Sequence, residues 1–233
     1  MPAVLWSGSG VHHRIMRTTK GEKMLVQKIL TRNPKAELYY DLVELLTGVT
    51  LVGFLWTHML FVATILLGRN TFNSLSQALD DYYLSYVGIP FIILVFIMHI
   101  LTAGRRLPTR YQEQQIIWRH AKMLQGTDTW VWVFQVITGA AIFALGSIHM
   151  WVVISGWPIS AMTSAERMHA FWWFYLVLLL LGEYHAGFGI YRQFVKWGWF
   201  PRKPLGYISK VITIIILTLG LAALWVFLKL GGA

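Results

Sequence analysis

Five long apolar stretches constrain what this chain can fold into. Each has about 20 residues or more, which is the length that a helix needs to cross the hydrocarbon core of a bilayer. Of 233 residues, 56% are hydrophobic and 13% are charged. The pattern predicts an all-α membrane protein with five transmembrane helices. The stretches run approximately from Leu42 to Leu67, Tyr83 to Ala103, Trp130 to Trp157, Phe171 to Ile190 and Ile208 to Leu228.

The positions of the positive charges predict the orientation. The net charge is +10, and the chain has 20 lysines and arginines. Apart from Arg69, Arg167 and Lys229, all of them lie near the N-terminus, around the link between stretches two and three, or around the link between stretches four and five. Because cytoplasmic segments carry the excess of Lys and Arg, we expect a cytoplasmic N-terminus and a multi-pass protein of the inner membrane. Charge confined to these segments suits membrane lipid and requires no nucleic-acid partner.

The polar segments predict two parts. Residues 1–37 form a cytoplasmic N-terminal segment, which we expect to be retained because it lacks the pattern of a cleaved signal peptide. Residues 38–233 form the five-helix domain. Within this domain we expect a short interfacial helix or an ordered loop at residues 69–81. We expect residues 107–129 to form a platform for a partner protein. Residues 163–166 predict a capped helix N-terminus. No internal repeat is apparent.

Four histidines lie one apiece in four of the apolar stretches: His58, His99, His149 and His185. A histidine in hydrocarbon must find partners for its ring nitrogens or carry the cost of an unsatisfied polar group. At about 1.5 Å of rise per residue, His99 and His185 fall about 10 Å inside the cytoplasmic boundary, and His58 and His149 about 15 Å inside the external one. The depths predict that His99 faces His185 and that His58 faces His149.

Two depth-matched pairs of imidazoles predict two haems b, stacked across the membrane among four of the five helices. Two imidazoles from facing helices fill both axial positions of a haem iron, which leaves electron transfer as the expected task. The chain has no cysteine, so it cannot ligate an iron–sulfur cluster by thiolates or attach haem covalently. The alternative is that the histidines only bridge helices by hydrogen bonds.

Two further groups of residues predict how the haems are held. Glycines on the faces that carry the histidines would give the porphyrins an uncrowded surface, and basic side chains at the helix ends would bind the propionates. The glycines are Gly146, Gly182 and Gly189; the basic residues are Arg192 and Lys196 on the cytoplasmic side and Arg167 outside.

Three carboxylates are candidates for proton transfer. Asp80 and Asp81 lie at the outer end of the second stretch, where a carboxylate would accept a proton from a quinol, since quinol oxidation releases two protons with two electrons. A capping or solvated acidic pair is the alternative. Glu183 lies inside the fourth stretch, where an ionised carboxylate is costly, and it predicts a proton relay. A hydrogen-bonded structural role is the alternative there.

Several strings together resemble one family. They are Thr57-His58-Met59, Phe61 to Gly68, Leu145 to His149, Glu183-Tyr184-His185, Gly189 to Arg192 and Val195 to Phe200. They resemble the dihaem cytochrome b membrane subunit of succinate:quinone oxidoreductases, especially of quinol:fumarate reductases, over nearly all of residues 38–230. The resemblance implies that His99 and His185 bind the proximal haem, near an iron–sulfur partner, and that His58 and His149 bind the distal haem.

The resemblance also implies a function. The chain would oxidise menaquinol near the outer face and pass electrons through two b haems to an iron–sulfur subunit and a flavoprotein that reduces fumarate. It would thus be the membrane subunit of an enzyme complex whose dicarboxylate chemistry lies on another subunit. Asp80 or Asp81 would match the family's external-loop glutamate, and Glu183 its proton-pathway glutamate. The alternatives are a succinate dehydrogenase anchor that reduces quinone, a hydrogenase or formate dehydrogenase cytochrome b, and a haem-free proton or metal transporter.

Overall fold

The computed structural model describes residues 33–105, 107, 110–124 and 127–232, and within these residues the regular structure is entirely helical. The predicted N-terminal segment therefore lies almost wholly outside the described residues. The helices are α1 (Pro34–Ala63), α2 (Arg69–Asp81), α3 (Leu84–Gly104), α4 (Tyr111–Leu124), α5 (Thr127–Ser155), α6 (Ala161–Ala170), α7 (Trp172–Lys196) and α8 (Arg202–Gly231), with a 3-10 turn, Thr64–Leu67, that extends α1.

Five of these helices are long and apolar enough to cross a membrane, which confirms the five predicted spans: α1 with its 3-10 turn, α3, α5, α7 and α8. Helix α1 begins well before its apolar stretch. The side chain of Asn33 accepts a hydrogen bond from the backbone nitrogen of Lys35 at 3.0 Å, and Pro34 occupies the first helical position. An Asn cap followed by proline is a favoured helix start. Hydropathy marks the part that suits hydrocarbon, whereas the cap determines where the helix begins.

The four helices that carry the histidines form a ring. Helix α1 packs against α3 and α7, and α7 packs against α5. Helices α3 and α5 approach each other through aromatic side chains, since the ring centroids of Phe96 and Phe143 are 6.4 Å apart. Helix α8 packs on α1 and α7. Around this ring, α1 lies diagonally opposite α5, and α3 lies diagonally opposite α7.

One end of the bundle is closed by short helices. The backbone nitrogen of Ala161 donates to Asn73 at 2.7 Å, and the hydroxyl of Ser76 donates to the carbonyl of Ile159 at 3.0 Å, which joins α2 to the start of α6. The segment predicted to be a short interfacial helix or an ordered loop is helical and forms α2. The predicted capped N-terminus at residues 163–166 is wrong by three residues, because the hydroxyl of Ser160 caps α6 by accepting from the nitrogen of Thr163. A buried apolar cluster lies beneath these helices: Ile65, Phe72, Ala161, Ala165, Ala223 and Phe227.

Ion pairs join helices at the opposite end. The guanidinium of Arg105, directly after α3, contacts the carboxylates of Glu37 at 2.6 Å and Asp41 at 3.1 Å. Lys196, the last residue of α7, contacts Asp41 at 2.8 Å. Helix α4 lies in the link that sequence predicts to be a platform for a partner, and that role stays a prediction. The result is a bundle fixed at both ends around its interior.

Candidate functional site

A cavity of about 1410 Å³ lies inside the ring, and all four predicted histidines line it. It exceeds the roughly 300–1,000 Å³ of ordinary small-molecule pockets. Its lining is largely aliphatic and aromatic, with a few polar side chains at the end where α7 terminates, among them Glu44, Arg192, Gln193 and Lys196. An interior of this size and polarity suits a large, flat, apolar group with charged substituents at one edge.

His58 of α1 and His149 of α5 face each other on one diagonal of the ring. Their ring centroids are 6.1 Å apart. Metal–imidazole bonds of about 2 Å on each side would place the centroids of two rings about 6 Å apart. The Nδ1 atom of His149 is buried and has no hydrogen-bond partner among the described residues. A buried nitrogen of this kind is rare, and the pair fits two axial ligands of one haem iron.

His99 of α3 and His185 of α7 occupy the other diagonal. Nδ1 of His99 lies 3.1 Å from the hydroxyl oxygen of Thr47 on α1, and Nδ1 of His185 lies 3.2 Å from that of Thr138 on α5. Both rings line the cavity. The Nδ1 atom of each histidine therefore contacts the helix next to its own. The other ring nitrogen, Nε2, is available to a ligand.

The two diagonals lie at different heights in the bundle. Thr47, which contacts His99, precedes His58 by 11 residues on α1. Thr138, which contacts His185, precedes His149 by the same 11 residues on α5. At 1.5 Å per residue the two levels are about 16 Å apart along the bundle. The structure thus places His58 beside His149 at one level, and His99 and His185 at the other level, which are the levels that depth predicted.

The three predicted glycines all line the cavity, but they differ in what surrounds them. A Cβ on Gly182 would meet nothing within 4 Å, so this face is open to a flat group. A Cβ on Gly189 would lie 2.9 Å from the amide nitrogen of Gln135, which donates to the backbone carbonyl of His185 at 2.8 Å. Gly189 therefore lets α5 approach α7. Gly146 borders the cavity beside Phe96 of α3.

The predicted basic residues separate into two groups. Arg192 and Lys196 line the cavity at the end of α7, and Lys196 also pairs with Asp41. Arg167 of α6 donates instead to the backbone carbonyl of Gly156 at 3.2 Å and is absent from the described cavity wall. In this position Arg167 joins α6 to the link that follows α5. Its predicted contact with a haem propionate stays a prediction.

Glu183 is 1% exposed and joins three helices. One carboxylate oxygen accepts from the hydroxyl of Thr213 on α8 at 2.8 Å, and the other from the indole nitrogen of Trp56 on α1 at 3.3 Å. It also lines the cavity. The carboxylate thus accepts two hydrogen bonds and borders the cavity. The hydrogen bonds fit a structural role, and the proton relay stays a prediction.

The two aspartates at the end of α2 have different surroundings. Asp80 is partly buried, and its Oδ1 atom is buried with no hydrogen-bond partner among the described residues. Asp81 is exposed. Neither belongs to the described cavity wall, although Leu79 beside them does. Burial favours Asp80 as the carboxylate that acts on a bound molecule.

The residues that support His99 and His185 were not among the predicted ones: Thr47 with Gly48, and Thr138 with Gly139. The signal that identifies them is a repeated string. Thr-Gly, nine residues and His-Met occur at residues 47–59 in α1 and again at residues 138–150 in α5. The interpretation that the chain has no internal repeat is therefore wrong at this scale.

Comparison with known proteins agrees with the resemblance. The family described as the succinate dehydrogenase/fumarate reductase transmembrane subunit matches residues 111–226. The fumarate reductase cytochrome b subunit of Wolinella succinogenes is 34% identical over an alignment of 203 residues that covers 79% of each chain. The subunit of the same name from Helicobacter pylori is 29% identical over an alignment of 205 residues that covers 82% of this chain and 80% of the relative. The chain therefore belongs to the succinate dehydrogenase/fumarate reductase transmembrane subunit family, as a cytochrome b membrane anchor.

Proposed function

We propose that this chain is the dihaem membrane subunit of a quinol:fumarate reductase, and that it carries electrons from menaquinol near the outer face to an iron–sulfur subunit. The observation that carries the proposal is the arrangement of His58 with His149 and of His99 with His185, on the two diagonals of one cavity. A pair of imidazoles at each of two heights would hold two haems, and bis-histidine ligation would suit them to electron transfer.

The chain's residues would hold the haems in defined ways. His58 and His149 would bind the distal iron, and His99 and His185 would bind the proximal iron. Arg192 and Lys196, at the end of the cavity, meet carboxylate substituents, for which Lys and Arg supply charge-assisted hydrogen bonds. When bound, haem b supplies one-electron transfer between ferrous and ferric iron.

Asp80 serves the quinol site in this proposal. Quinol oxidation releases two protons, so a carboxylate beside the quinol hydroxyl accepts one and speeds the reaction. The partial burial of Asp80 and its unpartnered buried oxygen support this role, whereas the exposed Asp81 lies in the environment of a solvated charge. Protons then leave on the outer side.

Glu183 would carry protons inward across the membrane, opposite in direction to the protons released by the quinol. Electrons that pass from an outer quinol site to an inner fumarate site move charge across the membrane, and a proton moving inward with each electron cancels it. Glu183 lines the cavity between Trp56 and Thr213, deep in the bundle, which suits such a relay.

The distribution of Lys and Arg supports an inner-membrane protein with its N-terminus, α4 and the link between α7 and α8 in the cytoplasm. The iron–sulfur and flavoprotein partners would dock on this side, where the fumarate chemistry takes place. The relatives in Wolinella succinogenes and Helicobacter pylori are named fumarate reductase subunits, which supports fumarate reduction over the reverse reaction, succinate oxidation.

The test is a reduced-minus-oxidised spectrum of the purified complex with a redox titration. We expect an α band of b-type haem and two one-electron steps at different potentials, in a ratio of two haems to one chain. A protein without an α band would overturn the proposal and favour the haem-free transporter. A single haem would refute the assignment of two centres.

A further inference from the structure

Thr47 and Thr138 make matching contacts at the inner level of the cavity. The hydroxyl of Thr47 donates to the carbonyl of Val43 at 2.7 Å, one turn back on its own helix, and that of Thr138 donates to Phe134 at 2.8 Å. A threonine hydroxyl has one proton, which each of these bonds uses. With that proton on the backbone carbonyl, each hydroxyl oxygen is left to accept from the histidine that it contacts.

This constraint assigns the protons on both histidine rings. If the threonine oxygen accepts, Nδ1 of His99 and Nδ1 of His185 each carry a hydrogen, at 3.1 and 3.2 Å from their partners. In a neutral imidazole the other nitrogen, Nε2, then keeps its lone pair.

The glycine after each threonine makes this contact possible. A Cβ on Gly48 would lie 3.4 Å from Cε1 of His99, and a Cβ on Gly139 would lie 3.0 Å from Cε1 of His185. The edge of each imidazole ring therefore occupies the space that a side chain at the glycine position would need. Thr47 and Thr138 are each 6% exposed, so water does not replace the hydroxyl contact.

We propose that Thr47 and Thr138 are positioning residues of the proximal haem, a role that rests on the proposed function. Each hydroxyl fixes the Nδ1–H form of one axial histidine, directs Nε2 into the cavity and makes the ligand a stronger electron donor. The repeated string thus does the same two things in α1 and α5. Its histidine is a ligand of the distal haem, and its Thr-Gly pair supports a ligand of the proximal haem on the adjacent helix.

The test is a redox titration of the intact complex with Thr47→Val, Thr138→Val and the double variant. Valine keeps the shape and removes the acceptor, so the imidazole donates less charge to ferric iron. We expect the midpoint potential of the proximal haem to rise, with a change of at least threefold in its reduction equilibrium, or about 30 mV. The double variant should shift it further, and the distal potential should not change.

Two controls isolate the hydroxyl. Thr47→Ser and Thr138→Ser keep the acceptor and should keep the wild-type potential. Thr50→Val removes a hydroxyl that donates to the carbonyl of Leu46 at 2.8 Å on the same helix, and it should shift neither haem. The haem that His99→Ala removes identifies the proximal centre.

The outcomes separate this proposal from the proposed function. A wild-type complex without two haems contradicts the function itself. A dihaem complex in which the valine variants keep both potentials, or in which Thr50→Val shifts the proximal one equally, overturns the role of the threonines alone. If the valine variants lose the proximal haem, serine variants that retain it at the wild-type potential support the role, and serine variants that also lose it refute it.

Discussion

Burial distinguishes two neighbouring carboxylates that the sequence does not. Asp80 and Asp81 have the same side chain and adjacent positions at the end of α2, but Asp81 is exposed, whereas Asp80 is partly buried and its buried Oδ1 lacks a hydrogen-bond partner among the described residues. A buried acceptor without a donor is costly unless a ligand or water satisfies it. The structure therefore makes Asp80 the better candidate for contact with a quinol.

Asp80→Asn tests that choice. The amide cannot accept the quinol proton, and general base catalysis commonly contributes at least about a hundredfold, so quinol-driven fumarate reduction should fall by about that factor or more. Reduction of fumarate by an artificial donor to the flavoprotein should persist. Asp81→Asn is the matched control and should retain most of the quinol activity. Equal activity in the two variants would remove Asp80 from the quinol site.

The sequence predicted individual histidines better than their supporting residues. A histidine among 20 apolar residues is conspicuous, and depth along a straight helix follows from a constant rise. The role of Thr47 depends on which helix packs beside α1 and on how that helix is rotated. Composition does not specify either, and the threonines were missed although their string occurs twice.

The C-terminal end of α7 determines the polar end of the cavity. Its last turn carries Lys196, which pairs with Asp41, and Gln193, whose amide donates to Glu44 of α1 at 3.0 Å. The apolar stretch predicted an end near Ile190. The helix continues past Ile190 because the polar side chains of its last turn bond to α1. Hydropathy does not record such contacts.

A Schellman motif ends α7. Gly198 has φ of 69°, and its nitrogen donates to the carbonyl of Val195 at 3.1 Å, while the nitrogen of Trp199 donates to Phe194 at 3.1 Å. The rings of Phe194 and Trp199 pack with centroids 5.6 Å apart. Both hydrogen bonds and the apolar contact belong to this motif, and the left-handed residue is most often glycine.

Gly198→Ala should therefore destabilise the complex. A Cβ in the left-handed region costs roughly 1–2 kcal/mol, and we expect a loss of about that size in the free energy of unfolding, measured by denaturation in detergent. Gly53→Ala is the control, since a Cβ there meets nothing within 4 Å and the residue lies inside α1. Its stability should stay level or rise, because alanine favours helix over glycine. Equal losses in both variants would show that the conformation at Gly198 is not the cause.

At the scale of the whole molecule, the ring of α3, α1, α7 and α5 makes the two levels possible. Helix α1 packs directly against α3 and α7, and α7 against α5, while α3 and α5 meet through Phe96 and Phe143, so the helices on each diagonal face each other across the cavity. His58 and His149 use one diagonal, and His99 and His185 use the other. The sequence predicted the heights from topology. The order of helices around the ring required the structure, because it depends on side-chain packing between distant segments.

Alanine variants of the four histidines test this arrangement as a unit. If each diagonal holds one haem, His58→Ala and His149→Ala should both remove the same component of the redox titration, and His99→Ala and His185→Ala should both remove the other. His169→Ala is the control, because His169 lies on α6 and packs against the end of α8 near Gly232, away from the described cavity wall, and it should leave both haems in place. Loss of the same haem in His58→Ala and His99→Ala, with the other haem kept, would show that neighbouring helices rather than diagonal ones share a centre. The proposed electron path, from a haem on one diagonal to a haem on the other, would then be wrong.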